Sequence, residues 1–133
     1  MTITIKQIIY YCGKDVYHKG KEYLDTDALY MCYKDRKGLR AFCEGFDCSG
    51  YQVGVVCGSS SIIDSYCSCQ SIDDTPCVHI CAVLLKWYYT PGSFYDMSTM
   101  SYQLKHKDKQ ELIDIVQKMV YAYKNPHDTL AVS

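Results

Sequence analysis

The sequence predicts an α+β fold. Apolar residues recur at helical spacing near both ends, a central stretch switches to period two between turn residues, and cysteines with one histidine cluster where strand gives way to helix.

Two short helices are expected first, over about 3–11 and 14–24. Ile5, Ile8 and Ile9 fall at i, i+3, i+4, and Tyr17, Tyr23 and Leu24 renew an apolar face, with Gly13 and Gly20 interrupting it. From about 28 to 67 side chains alternate. Leu29, Met31 and Tyr33 alternate with Ala28, Tyr30 and Cys32. The polar run from Lys34 to Gly38 turns the chain into a second strand through Phe42 and Phe46. Cys48-Ser49-Gly50 turns it into 51–57, and Gly58 to Ser61 turns it into 62–67. This is an antiparallel meander of three or four strands. Pro76 stands where a helix can begin, and Ile80, Val83, Leu84 and Trp87 mark one face of it until Thr90-Pro91-Gly92. Residues 93–107 read as irregular. A last helix over 109–124 carries Leu112, Val116, Met119 and Tyr123 on one side. It starts at an Asp108/Glu111 capping box and stops at Asn125-Pro126. Its apolar stripe either closes the core or presents a groove or dimer face.

At 133 residues, 48% apolar and 22% charged, one domain spanning 1–133 with one core is expected, the cysteine-rich part of it at 62–89. The nine cysteines are an odd number, and no signal-like apolar run opens the chain. No stretch approaches a membrane span. A reducing, cytoplasmic setting follows, in which clustered cysteines bind metal more often than they pair. Charge is uneven: residues 1–40 sum to +3, 41–100 to −5 and 101–133 to +1.

Chemistry concentrates in Tyr66-Cys67-Ser68-Cys69-Gln70 and Cys77-Val78-His79. Cys67, Cys69, Cys77 and His79 form a Cys3His set, a standard tetrahedral zinc environment. Four ligands leave no open position, so one structural Zn2+ is expected and no catalytic metal. Residues i and i+2 of a strand point to opposite faces, so Cys67 and Cys69 can share an ion only if the strand ends or bends there. Cys77 and His79 need an irregular first helical turn. The polar loop between the pairs (Ser71, Asp73, Asp74, Thr75) gains a reason to be ordered.

This pattern, followed by the apolar helix Ile80 to Leu85, resembles the SWIM zinc finger. With Tyr17-His18-Lys19-Gly20-Lys21-Glu22-Tyr23 and the meander upstream, residues 5–89 are similar to the N-terminal SWIM module of bacterial Swi/Snf-type helicases. The resemblance carries the ligands to Cys67, Cys69, Cys77 and His79 and implies binding to DNA or to a DNA-processing protein. Gln70 replaces a frequent proline and Cys81 a usual aliphatic. Val78 stands where a basic residue is common, which removes a positive charge from the finger.

Other readings compete. Cys81, four residues after Cys77, could replace His79 as a ligand or pack as a small apolar residue. Cys43 and Cys48 could be half of a second site, whereas Cys12, Cys32 and Cys57 suit the core. A redox dithiol or a Cys–His nucleophile pair would not explain four clustered ligands, so no enzyme is expected and no small-molecule substrate. Lys34, Arg36, Lys37 and Arg40 form the best basic patch for phosphate, or else a solvated hairpin tip. Lys105, His106, Lys107 and Lys109 form a weaker one. Two functions remain: zinc-dependent nucleic-acid binding, or a protein-interaction adaptor without DNA contact.

Overall fold

In the computed structural model, which describes residues 1–44, 50–69 and 76–124, the chain forms two compact units, Met1–Met97 and Ser98–Ser133.

The first unit opens with α1 (Ile5–Cys12) and α2 (Lys14–Leu24). Thr4 caps α1 through a reciprocal capping box. Its hydroxyl accepts from the Gln7 N–H at 3.2 Å while its own N–H donates to Gln7 Oε1 at 2.8 Å. Gly13, at φ 90°, closes α1 and begins α2, a backbone turn that glycine takes without a Cβ clash. The strands follow as β1 (Leu29–Lys34), β2 (Gly38–Glu44), β3 (Gly50–Cys57) and β4 (Ile62–Cys67), antiparallel neighbours in chain order as expected.

A fifth strand makes the sheet mixed. After α3 (Val78–Tyr89) and a short 3-10 turn at Pro91–Ser93, β5 (Tyr95–Asp96) lies parallel to β1, giving the order β4-β3-β2-β1-β5. The helix supplies the crossover that a parallel pairing needs.

β1 departs from simple alternation. Its register against β2 shifts between Tyr30 and Tyr33, where Met31 takes φ 52°. The bulge leaves Leu29 and Cys32 buried and Met31 exposed, in place of the expected face of Leu29, Met31 and Tyr33.

α3 is the centre of the core. Every residue from Ile80 to Leu85 is buried, together with Trp87, so the helix is covered around most of its circumference and not along one stripe. It packs on β2, β3 and β4 and also against α1 and α2. Gly20 sets the closest approach to α2, because a Cβ there would lie 2.8 Å from Cys81 Sγ and 2.9 Å from Cys81 Cβ. Leu39, Ala41, Cys43, Val53 and Val55 close the core from the sheet.

The second unit contains α4 (Met97–Lys105), which begins at the last residue of the first unit, and α5 (Lys109–Lys124). The irregular segment expected over 93–107 is largely this helix. Met97, Met100 and Leu104 are its half-buried residues, at i, i+3 and i+7, a helical signal masked by helix-poor Ser and Thr between them. α5 matches its expected bounds. Its capping box is reciprocal too: the Glu111 N–H donates to Asp108 Oδ1 at 2.8 Å, and the Asp108 N–H to Glu111 Oε1 at 3.2 Å. The expected stop at Asn125-Pro126, the turn at Cys48 and Ser49, and Phe46 lie outside the described residues.

Candidate metal centre

β4 ends at Cys67, which frees the two residues after it from strand alternation. Ser68 keeps the chain tied to β3. Its N–H donates to the Gln52 carbonyl at 3.1 Å and its Oγ accepts from the Gln52 N–H at 2.9 Å. Cys69 therefore follows a held residue beyond a strand end, the bend that a shared ion requires.

The second pair is brought round differently. Cys77 is the N-cap of α3, with extended backbone (φ −85°, ψ 174°), and its carbonyl already accepts from the Cys81 N–H at 3.2 Å. Cys77 lies half outside the helix and His79 inside its first turn. Two side chains that would diverge on a regular helix here converge.

The ligand atoms of Cys67, Cys69, Cys77 and His79 all lie within 4.8 Å of one another. His79 Nδ1 stands 3.6 Å from Cys67 Sγ and 3.7 Å from Cys77 Sγ. Zn–S and Zn–N bonds of about 2.3 and 2.0 Å at tetrahedral angles place sulfur and nitrogen roughly 3.5 Å apart. The separations and the donor set both fit one zinc ion.

Two tyrosines outside the ligand set hold the imidazole. Tyr23 of α2 meets it edge-on, with ring centroids 5.0 Å apart, and Tyr51 of β3 at 5.1 Å. The Tyr23 hydroxyl donates to the Glu44 carbonyl at 2.8 Å, and burial pushes its pKa up, so it stays a neutral donor. The sequence placed Tyr23 on an apolar helix face and Tyr51 in a strand but neither beside the metal, because contacts across 28 or more residues leave no local pattern.

The thiols divide by environment. A hydrogen bond from Cys67 holds Cys77 well below the usual thiol range, at about 4, and raises Cys67 in return; the Ile80 N–H at the helix start also favours the Cys77 thiolate. Cys77 is thus the thiol that ionises most readily, and a divalent cation displaces the protons of its ligands as it binds.

Cys43 is buried beside the site, and burial pushes its pKa up to about 12, which suits a neutral core thiol and not a ligand. Cys81 is fully buried against Gly20 and stands outside the four-residue group, so it packs and does not replace His79. Cys12 and Cys32 are buried in the core, and Cys57 is packed against it. Cys48 lies outside the described residues, as does the loop from Gln70 to Thr75.

The basic run does not form one patch. Lys34 pairs across the hairpin with Leu39 and so points to the helix-covered face, where its Nζ lies 5.5 Å from the Trp87 ring and 3.7 Å from Asp96. Arg40 points to the other face, beside Tyr66 at 5.6 Å and Asp35 at 3.7 Å. Arg36 and Lys37, in the turn between, are exposed and form no ion pair among the described residues. In the weaker cluster, Lys107 pairs with Glu111 at 3.7 Å and His106 packs on Tyr102.

The geometry is that of a zinc finger with ligands on a strand end and a helix start. Residues 51–88, from β3 to the last turn of α3, match the family model of the SWIM zinc finger. The upstream segment on which the helicase-module resemblance rested lies mostly outside the match. No curated protein and no solved structure matches the chain. The SWIM finger is a binding module and not a catalytic family. Among the described residues no helix is long and apolar enough to cross a membrane.

Proposed function

We propose that this chain is a zinc-dependent binding module of DNA transactions, in which Cys67, Cys69, Cys77 and His79 hold one structural Zn2+ and the assembled finger presents a surface to DNA or to a DNA-processing protein in the cytoplasm. The observation that carries the zinc assignment is the 3.6 and 3.7 Å separation of His79 Nδ1 from two thiols in a four-ligand group. The ion's work is mechanical. It ties the end of β4 to the start of α3, and α3 in turn carries the largest share of the core.

For the DNA arm, Arg36 and Lys37 are the available cations of the expected patch, because Lys34 and Arg40 are drawn into ion pairs on opposite faces of the sheet. The same observation favours the second reading, a protein adaptor without DNA contact, as does the −5 charge of residues 41–100.

Titration of zinc-loaded chain with single- and double-stranded DNA at two salt concentrations separates them. DNA contact through the turn gives a salt-dependent Kd, and Arg36→Ala/Lys37→Ala flattens the log–log salt slope by about 2. No binding at low salt assigns the module to protein partners.

A further inference from the structure

We propose that Tyr23 of α2 is a positioning residue for the zinc ion: it holds His79 so that Nδ1 is the ligating nitrogen, which makes the N-terminal helix pair part of the metal centre. The proposal rests on the zinc assignment above and is independent of whether the finger meets DNA or protein.

Either ring nitrogen of a neutral histidine can bind a metal, the other then carrying the proton. The torsion that turns the imidazole is broad, with no staggered well to fix it. The choice therefore falls to packing. In this chain it is Nδ1 that stands 3.6 Å from Cys67 Sγ and 3.7 Å from Cys77 Sγ. Nδ1 lies on the ring edge nearest the backbone and Nε2 on the far edge, so a swing of the ring carries Nδ1 away from the thiols. The ring contacts that oppose this swing are Tyr23, 5.0 Å away with planes at 78°, and Tyr51, 5.1 Å away at 40°.

Tyr23 is anchored at both ends. Its hydroxyl donates to the Glu44 carbonyl at the end of β2 at 2.8 Å. Its own carbonyl accepts from the Thr26 N–H at 3.1 Å and from Thr26 Oγ1 at 2.6 Å. The helix that carries it is also set firmly. Gly20, one turn earlier, faces Cys81, two residues past His79, with no room for a Cβ. The close approach of α2 to α3 that Gly20 permits thus brings a side chain of one helix to a ligand on the other. Tyr23 lies well before the matched stretch 51–88, so the metal centre extends beyond the finger itself.

Metal competition on the full chain tests the assignment. Groups that orient a metal-bound histidine are worth about ten- to a hundredfold in affinity. Against a chromophoric chelator, Tyr23→Leu, which keeps apolar bulk and removes the ring, should bind zinc about tenfold more weakly, and Tyr23→Phe, which keeps the ring, should stay within about threefold of wild type. Proton–nitrogen correlation spectra of the zinc-loaded imidazole read what lost stability alone would not move. Wild type should show one His79 state, with the metal on Nδ1 and the proton on Nε2, and Tyr23→Leu should add a second state. Ile8→Val, a buried change in α1 outside the ligand set, controls for stability and should leave the His79 signals as in wild type. Wild-type His79 bound through Nε2 overturns the proposal before any substitution is made. A Tyr23→Leu chain with wild-type affinity and one His79 state overturns it too, as does Ile8→Val reproducing the second state. A wild-type chain that takes up no zinc overturns the zinc assignment itself, and this proposal with it.

Discussion

Cys77 and Cys81 are one helical turn apart and have opposite roles. Cys77 is the N-cap, its sulfur among three other ligand atoms, whereas Cys81 is sealed between Gly20 and the core. Their substitutions should therefore separate. Cys77→Ser and His79→Ala lose the ion, read by metal content after dialysis, and broaden thermal unfolding. Cys81→Ala keeps one zinc per chain and lowers stability by about 1–2 kcal/mol through the small cavity it leaves. Gly20→Ala reverses the usual helix preference. Alanine ordinarily gains about 1 kcal/mol over glycine. Here its Cβ meets the rigid Cys81 Cβ, so the variant should unfold at lower denaturant by about 1–3 kcal/mol. The four ligands were legible because their spacing is local. Tyr23 and Tyr51, which hold the imidazole, were not.

Among the elements, the β1–β2 hairpin turns on one carboxylate. Asp35 Oδ1 accepts from the Lys37 N–H at 2.8 Å and the Gly38 N–H at 3.0 Å. Partial burial raises the Asp35 pKa, but those two N–H groups and Arg40 outweigh it, and the net shift is downward. A depressed folded pKa contributes stability that is complete above the ordinary carboxylate range and is lost as pH falls through the folded value. Asp35→Ala should cost about 1 kcal/mol near neutrality, and the difference from wild type should shrink under strong acid in parallel urea titrations. In α5, Asp108→Ala removes the oxygen that accepts from Glu111, with an expected loss of about 1 kcal/mol read as reduced helicity. That cap was readable from two residues three apart. The β1 bulge was not, because Met31 is an ordinary strand residue and only its pairing with β2 shows the slipped register. α4 was missed because its apolar triplet is diluted by Ser and Thr.

At the scale of the whole molecule, zinc and core are one system. Each ligand pair anchors one end of the link between β4 and α3, and α3 is buried nearly all round. Binding by such sites is worth roughly 10–16 kcal/mol in finger peptides. A strong chelator should therefore abolish cooperative unfolding of the Met1–Met97 unit, seen as loss of near-ultraviolet dichroism, and added Zn2+ should restore it. By itself the sequence determined the α+β class, the order of the seven elements from α1 to α3, the Cys3His set and the last helix. All of these rest on residues a few positions apart, where periodicity, turn chemistry and ligand spacing act. Only the tertiary structure decided that β5 joins the sheet in parallel, that α3 is enclosed and not merely faced, and that Lys34 and Arg40 part to opposite sides of the sheet. Those outcomes depend on which distant surfaces meet, and burial and charge pairing settle that only once the chain has closed on itself.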